Sequence, residues 1–205
     1  MTTIGAVASW MAGSFISAEF LGYWLHRLLH SGAIGSLSRN HMRHHLVLYG
    51  PEEAQRSKEY RDATLHSFSL GNIGMEWLAP AGSLIVLAVI TFYWIGVPVR
   101  YQCVYLMTTI VWSFLMFSSL HDWMHIEGFW LERNHFFSRW FLSARRRHDA
   151  HHQMINDRGL MDKNFGIGFF LFDRLFGTLS DAKVEFNQDG YLVAKKRFKS
   201  VLDAN

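Results

Sequence analysis

The chain has 205 residues, half of them hydrophobic, with 17 Phe, 8 Trp and 7 Tyr against only 18% charged residues. That length suits one domain, residues 1–205, and the balance leans toward a membrane protein. A formal charge of +3 is mild, and no basic stripe interleaves with the aromatics, which argues against a nucleic-acid partner.

Three stretches are predicted to span a bilayer, each near the roughly 20 apolar residues a crossing needs. The first covers residues 4–25 and carries only Glu19. It is rich in small residues (Gly5, Ala12, Gly13, Ser14, Ala18), which suits close helix packing. It lacks a basic start and runs straight into a histidine, so it reads as a retained span rather than a cleaved leader. The second covers 75–97, with Glu76 at its entry and no charge from Ser83 to Val97. The third covers 101–120 and has no charge. Pro98 and Arg100 mark a tight turn, so the second and third spans form a helical hairpin. Cys103 lies in this apolar run and reads as a packing residue. As the single cysteine it excludes an internal disulfide and any cysteine-based metal site.

The segment from His26 to His66 holds Arg27, Arg39, Arg43, Arg56, Lys58 and Arg61, and the chain after the third span is also basic. The positive-inside rule puts both segments in the cytoplasm. The run Arg145–Arg147 reads as a solvated or headgroup-facing surface, with docking of an acidic electron-transfer partner as the second reading. Residues 134–142 and 165–176 are aromatic and amphipathic, expected to lie in the interface plane or to cap a site. Residues 181–205 are polar, with Lys195, Lys196, Arg197 and Lys199, and read as a soluble tail.

Ten of the twelve histidines form four clusters: His26 and His30; His41, His44 and His45; His121 and His125; His148, His151 and His152. The order is HxxxH, HxxHH, then the same pair again. Residues i, i+3 and i+4 share a helix face, so each cluster aims its rings at one place. Neutral imidazole is a common ligand for transition metals. Ten exceed what one metal uses and suit two metals with about five each. A lone histidine is usually a core or interface residue; four regular clusters without metal would leave many ring nitrogens in need of partners. By the charge argument all ten meet on the cytoplasmic side. Adjacent histidines in HxxHH differ by roughly 100° around the helix and can face different metals. The expected division sets His30, His44, His121, His125 and His151 against His26, His41, His45, His148 and His152. His66 and His135 are read as surface or supporting residues. Asp122, Glu127 and Asp149 are candidates to hold the far nitrogens of ligand rings. Trp24, Trp123 and Trp130 are read first as interface anchors.

With these clusters and flanking spans, the sequence resembles the fatty acid hydroxylase/sterol desaturase superfamily of membrane non-haem diiron enzymes. The stretch Asn164 to Thr178 resembles that family's C-terminal signature, with Phe172 where a Trp usually precedes Asp173 and Arg174. The resemblance covers about Tyr23 to Thr178. It implies an all-α integral membrane protein with a helical His-cluster dimetal site and two iron ions; zinc is a possible substitute in purified protein. The implied activity is O2-dependent hydroxylation or desaturation of a fatty acyl or sterol-like lipid. A carotenoid hydroxylase is the alternative. The chain has no recognisable redox domain, so a separate electron donor of ferredoxin, rubredoxin or cytochrome b5 type is expected. A bacterial inner membrane is favoured over the endoplasmic reticulum. Two readings from other classes are a non-enzymatic metal or haem-binding membrane protein and a metal transporter. The first needs only paired histidines; the second places ligands at the bilayer midplane on broken helices rather than at span ends.

Overall fold

A computed structural model describes residues 3–31, 36–64, 78–182 and 185–203. Thr3–Leu29 form one helix, α1. The segment holds no proline, and the hydroxyls of Ser9 and Ser14 donate to carbonyls one turn earlier. At about 1.5 Å per residue α1 exceeds the roughly 30 Å hydrocarbon core of a bilayer. Its last turn, with His26 and Arg27, therefore has length to project beyond it.

Helix α4 (Leu78–Trp94) leads through Gly96, in a left-handed conformation (φ 71°), into α5 (Val99–Ser113). Helix α5 continues through a wide π-type segment, Phe114–Leu120, into α6 (His121–Met124). Together Val99–Met124 make a second long apolar helix of 26 residues.

Helix α1 and the α5–α6 rod run side by side in the same direction. Trp10 stacks on Tyr101, Phe15 packs on Trp112, and His26 approaches His121. Trp112 Nε1 donates to Glu19 Oε1 at 2.8 Å. Ser14 and Ala18 are buried one turn apart, and one turn further on a Cβ at Gly22 would run into the Phe117 ring. Small residues at this four-residue spacing let two helix backbones approach closely. Parallel packing puts the HxxxH turns of both helices at the same end.

Among the described residues, two helices are long and apolar enough to cross a membrane, Ile4–Leu29 and Val99–Met124, against an expectation of three spans. The described part of the middle stretch is α4, whose 17 residues reach only about 26 Å at helical rise. Residues 75–77, with Glu76, lie outside the described residues. The long helices leave most of their apolar sides uncovered, as in Ile16, Phe20, Ile110 and Phe114. Cys103 is also exposed on this surface, and so is not the packing residue its sequence context suggested.

The remaining elements form a cap at the histidine end. They are α2 (Ser36–Arg43) with the π turn His44–Leu48, α3 (Lys58–Thr64), the 3-10 turn Trp130–Arg133, α7 (Ser138–Gln153), α8 (Leu171–Leu175), α9 (Gln188–Arg197) and α10 (Lys199–Leu202). One apolar cluster joins Leu120, Met124, Phe141 and Ile167. Another joins Met42, Leu46, Ile155, Met161, Ala194 and Phe198. No strand ladder occurs among the described residues.

Two surface expectations change. The segment after Asp181 is not a free tail: Ala194 and Phe198, four residues apart on α9 and its C-cap, are buried against α2. The run Arg145–Arg147 is not a uniform solvated face. Arg145 is buried, pairing with Glu132 at 2.6 Å and donating to the Trp123 and Ile126 carbonyls. Arg147 pairs with Asp181, leaving only Arg146 exposed. The two amphipathic stretches divide by residue: Phe136, Phe169, Leu171 and Leu175 face outward, while Phe141, Phe165, Ile167 and Phe172 are buried.

Candidate metal centre

All ten clustered histidines are buried, none more than 8% exposed. They arrive from four helix ends: α1, α2 with its π turn, α6, and α7. The π turn begins at His44, and the π segment of the long rod ends immediately before His121. Such widened turns are frequent at functional sites.

The rings sort into two groups. His44, His121, His125, His148 and His152 offer nitrogens that lie within 4.8 Å of one another, and so do His26, His30, His41 and His45. His151 stands against the second group, its Nε2 3.0 Å from His30 Nε2 and its ring 4.6 Å from that of His26. The division expected from sequence was different. Here every i, i+4 pair stays together, and the two i+3 histidines, His44 and His151, cross to the opposite group. Helical period gives the reason: i and i+4 are about 40° apart, whereas i+3 lies about 100° from i+4.

The ring nitrogens are close in a way that hydrogen bonding alone does not satisfy. His30 Nε2 lies 3.1 Å from His41 Nε2 as well as 3.0 Å from His151 Nε2, and His41 Nε2 lies 3.2 Å from His45 Nε2. His125 and His148 meet at 3.0 Å. A ring nitrogen has one in-plane proton or lone pair, so one atom cannot serve two such neighbours. In contrast, nitrogens about 2.0–2.1 Å from a shared ion and at right angles around it stand about 3 Å apart.

The opposite ring nitrogens fix the direction of the lone pairs. Nδ1 of His26, His151, His125 and His152 lies 2.6, 2.5, 2.6 and 2.8 Å from the carbonyls of Phe165, Lys163, Ala54 and Tyr49. A carbonyl only accepts, so Nδ1–H donates and Nε2 keeps a bare lone pair. His26 Nε2, His121 Nε2, His152 Nε2 and both nitrogens of His44 are buried without a hydrogen-bond partner. Burial pushes protonation of His30, His41, His44, His45, His148, His151 and His152 well below the usual range, and that of His125 down to about 4. Neutral, oriented and unpartnered imidazoles are what a transition metal needs. The donor set fits two such ions.

A profile of the fatty acid hydroxylase family matches residues 11–178. The chain belongs to the fatty acid hydroxylase family. No curated protein and no solved structure matches it. The fatty acid hydroxylases are in general oxidoreductases, and the family together with the two long apolar helices makes this a membrane protein.

Several supporting residues differ from expectation. Asp122 accepts from Arg61 at 3.1 Å, and Asp149 accepts from Gln55 at 2.7 Å. The far nitrogens named above are thus held by carbonyls, not by these carboxylates. Burial raises Asp149 to about 6. Glu127 is exposed, and so is His135, as its surface reading expects. His66 lies outside the described residues. Trp24 and Trp130 are partly exposed, while Trp123 stacks on Phe129. Tyr49 was not singled out in the sequence. It is buried, stacks on His125 at 4.1 Å, and has its phenol raised to about 12 by burial. Its place beyond an HxxHH cluster is the one signal that pointed to it.

Proposed function

We propose that this fatty acid hydroxylase is an O2-dependent lipid oxidase whose ten histidines bind two iron ions. His26, His30, His41, His45 and His151 hold one ion; His44, His121, His125, His148 and His152 hold the other. The observation that carries this reading is the packing of ten buried, neutral imidazoles into two groups of five. Bound iron supplies the activation of O2 and the removal of hydrogen from an unactivated C–H bond.

The chain supplies placement. Carbonyls of Phe165, Lys163, Ala54 and Tyr49 hold four rings in one tautomer with Nε2 turned inward. Phe165 packs against the His26, His30 and His151 rings and excludes water from that side. The apolar surface of α1 continues through Phe20 and Trp24 onto Phe172 and Phe176 of the α8 region. This continuity favours sideways entry of a fatty acyl or sterol-like lipid. The site faces the cytoplasm in this reading, where a separate ferredoxin-, rubredoxin- or cytochrome b5-type protein delivers electrons.

The test is metal content and lipid products from iron-supplemented cells. Two irons per chain, and a cellular lipid that gains one oxygen or loses two hydrogens only when the protein is present, are expected. The His45→Ala His152→Ala variant removes one ligand from each group and should abolish both signals. One metal or none in the wild type overturns the proposal.

A further inference from the structure

The C-terminal signature, Asn164 to Thr178, holds no histidine, yet it encloses two of the best-buried polar side chains in the protein. Asn164 and Asp173 are both fully buried. Asn164 is the one non-glycine residue among those described with a left-handed backbone, at φ 57°. Asparagine tolerates this conformation better than most residues. On either side of it, Lys163 O accepts from His151 Nδ1 and Phe165 O accepts from His26 Nδ1. The turn at Asn164 thus lets two carbonyls, two residues apart, serve two rings of one group.

Side chains pin this turn from both directions. Asn164 Nδ2 donates to the Arg147 and Ser180 carbonyls, and its Oδ1 accepts from Ser180 N–H at 2.8 Å. Asp173 accepts from Phe165 N–H at 2.7 Å and Gly166 N–H at 2.6 Å, one to each oxygen. Thr178 Oγ1 adds a third bond at 2.8 Å, and the Tyr23 hydroxyl of α1 lies 3.2 Å from that oxygen. A Cβ at Gly166 would sit 2.6 Å from Phe169 O and 2.8 Å from Asp173 Oδ2. Glycine is therefore what lets the carboxyl group reach both amides.

We infer that Asn164 and Asp173 are positioning residues for one metal group: they hold the Lys163–Phe165 carbonyls that orient His151 and His26. The other group is anchored by the Tyr49 and Ala54 carbonyls, in a segment these side chains do not touch. The inference rests on the proposed metal reading for its functional meaning. Its hydrogen-bond content does not depend on that reading.

Asp173→Asn places an amide N–H₂ against a backbone N–H and breaks one arm of the clamp. In metal-free protein labelled with 15N-histidine, the wild type should show protected Nδ1–H signals from His26, His151, His125 and His152. Asp173→Asn should lose those of His26 and His151 and keep the other two. In cobalt titrations the variant should bind one equivalent as before and the second at least about tenfold more weakly, the scale on which lost outer partners act. Circular dichroism and thermal melting establish that the variant is folded. Thr178→Val, which removes only the third bond to Asp173, provides a milder version of the same readout if Asp173→Asn does not fold. Retention of all four signals, or their joint loss in a folded variant, overturns the inference. A wild type that shows all four signals but binds no cobalt sinks the metal reading and leaves the clamp standing.

Discussion

One histidine group draws its i, i+4 pairs from α1 and α2, in the N-terminal half of the chain. The other draws them from α6 and α7, in the C-terminal half. Each half then lends the other its i+3 histidine, His44 one way and His151 the other. The anchoring carbonyls are also exchanged: residues 163 and 165 serve the first group, residues 49 and 54 the second. Neither half can complete its site without the other, so docking of the cap and assembly of the centre are one event. The difference lies in what holds the carbonyls. Around residues 163–165 buried side chains from Asn164 and Asp173 join one backbone bond, from Asn164 N–H to Thr178 O. Around residues 49–56 it includes backbone bonds, from Arg56 N–H to His125 O and from Glu127 N–H to Arg56 O.

The largest effects should come from the exchanged histidines. His44→Ala should weaken metal binding in the C-terminal group and His151→Ala in the N-terminal group. Each loss should exceed the roughly 10–100-fold cost of an outer partner. Metal titration with single-site spectroscopy checks this; reversed assignments would break the comparison.

Next comes Arg145, whose guanidinium ties Glu132 to the Trp123 and Ile126 carbonyls on either side of His125. Arg145→Ala leaves the partly exposed Glu132 carboxylate and two carbonyls without their partner and should cost about 3 kcal/mol. The exposed Arg146→Ala should change stability by no more than about 0.5 kcal/mol. Denaturant melts of metal-free protein compare the two. Of similar or slightly smaller size, Phe198→Ala should cost about 3 kcal/mol. It opens the contact behind Met42 and Leu46, on the helix that carries His41 and His45. A variant as stable as the wild type would mean that the C-terminal helices do not support this half of the centre.

Acidification should act on both groups. The usual histidine value is 6.5, and the rings outside the spans sit below it, His125 at about 4. Below pH 6.5 the unfolded chain takes up protons that the folded protein refuses, so stability falls with pH. The slope is at most about 1.4 kcal/mol per pH unit for each such ring. For His125 the loss levels off below about pH 4; above 6.5 the rings add no slope. Melting of metal-free protein between pH 4 and 8 reads this directly. Bound metal should leave over the same acid range, because protons compete for the same lone pairs.

Spacing alone made the four clusters and their shared faces legible, because helical period ties i to i+4 wherever the helix sits. Apolar runs disclosed α1 and the long α5–α6 rod for a similar reason: burying or lipid-facing apolar groups is a property of the residues themselves. The packing of α9 also had a signal, Ala194 and Phe198 at one-turn spacing, which the surrounding lysines and arginine obscured. Other features had no local signal. Which cluster shares a metal with which depends on where four helix ends meet, and two π segments shift those ends in ways residue spacing does not encode. The acceptors for the far nitrogens are backbone carbonyls, which every residue carries; only the fold selects Lys163, Phe165, Tyr49 and Ala54. Residue order is enough to define the ten histidines and the two long apolar helices whose ends carry four of them. How the rings divide is a matter of the fold, because it depends on directions in space between segments far apart in the chain, His44 against His121 and His30 against His151.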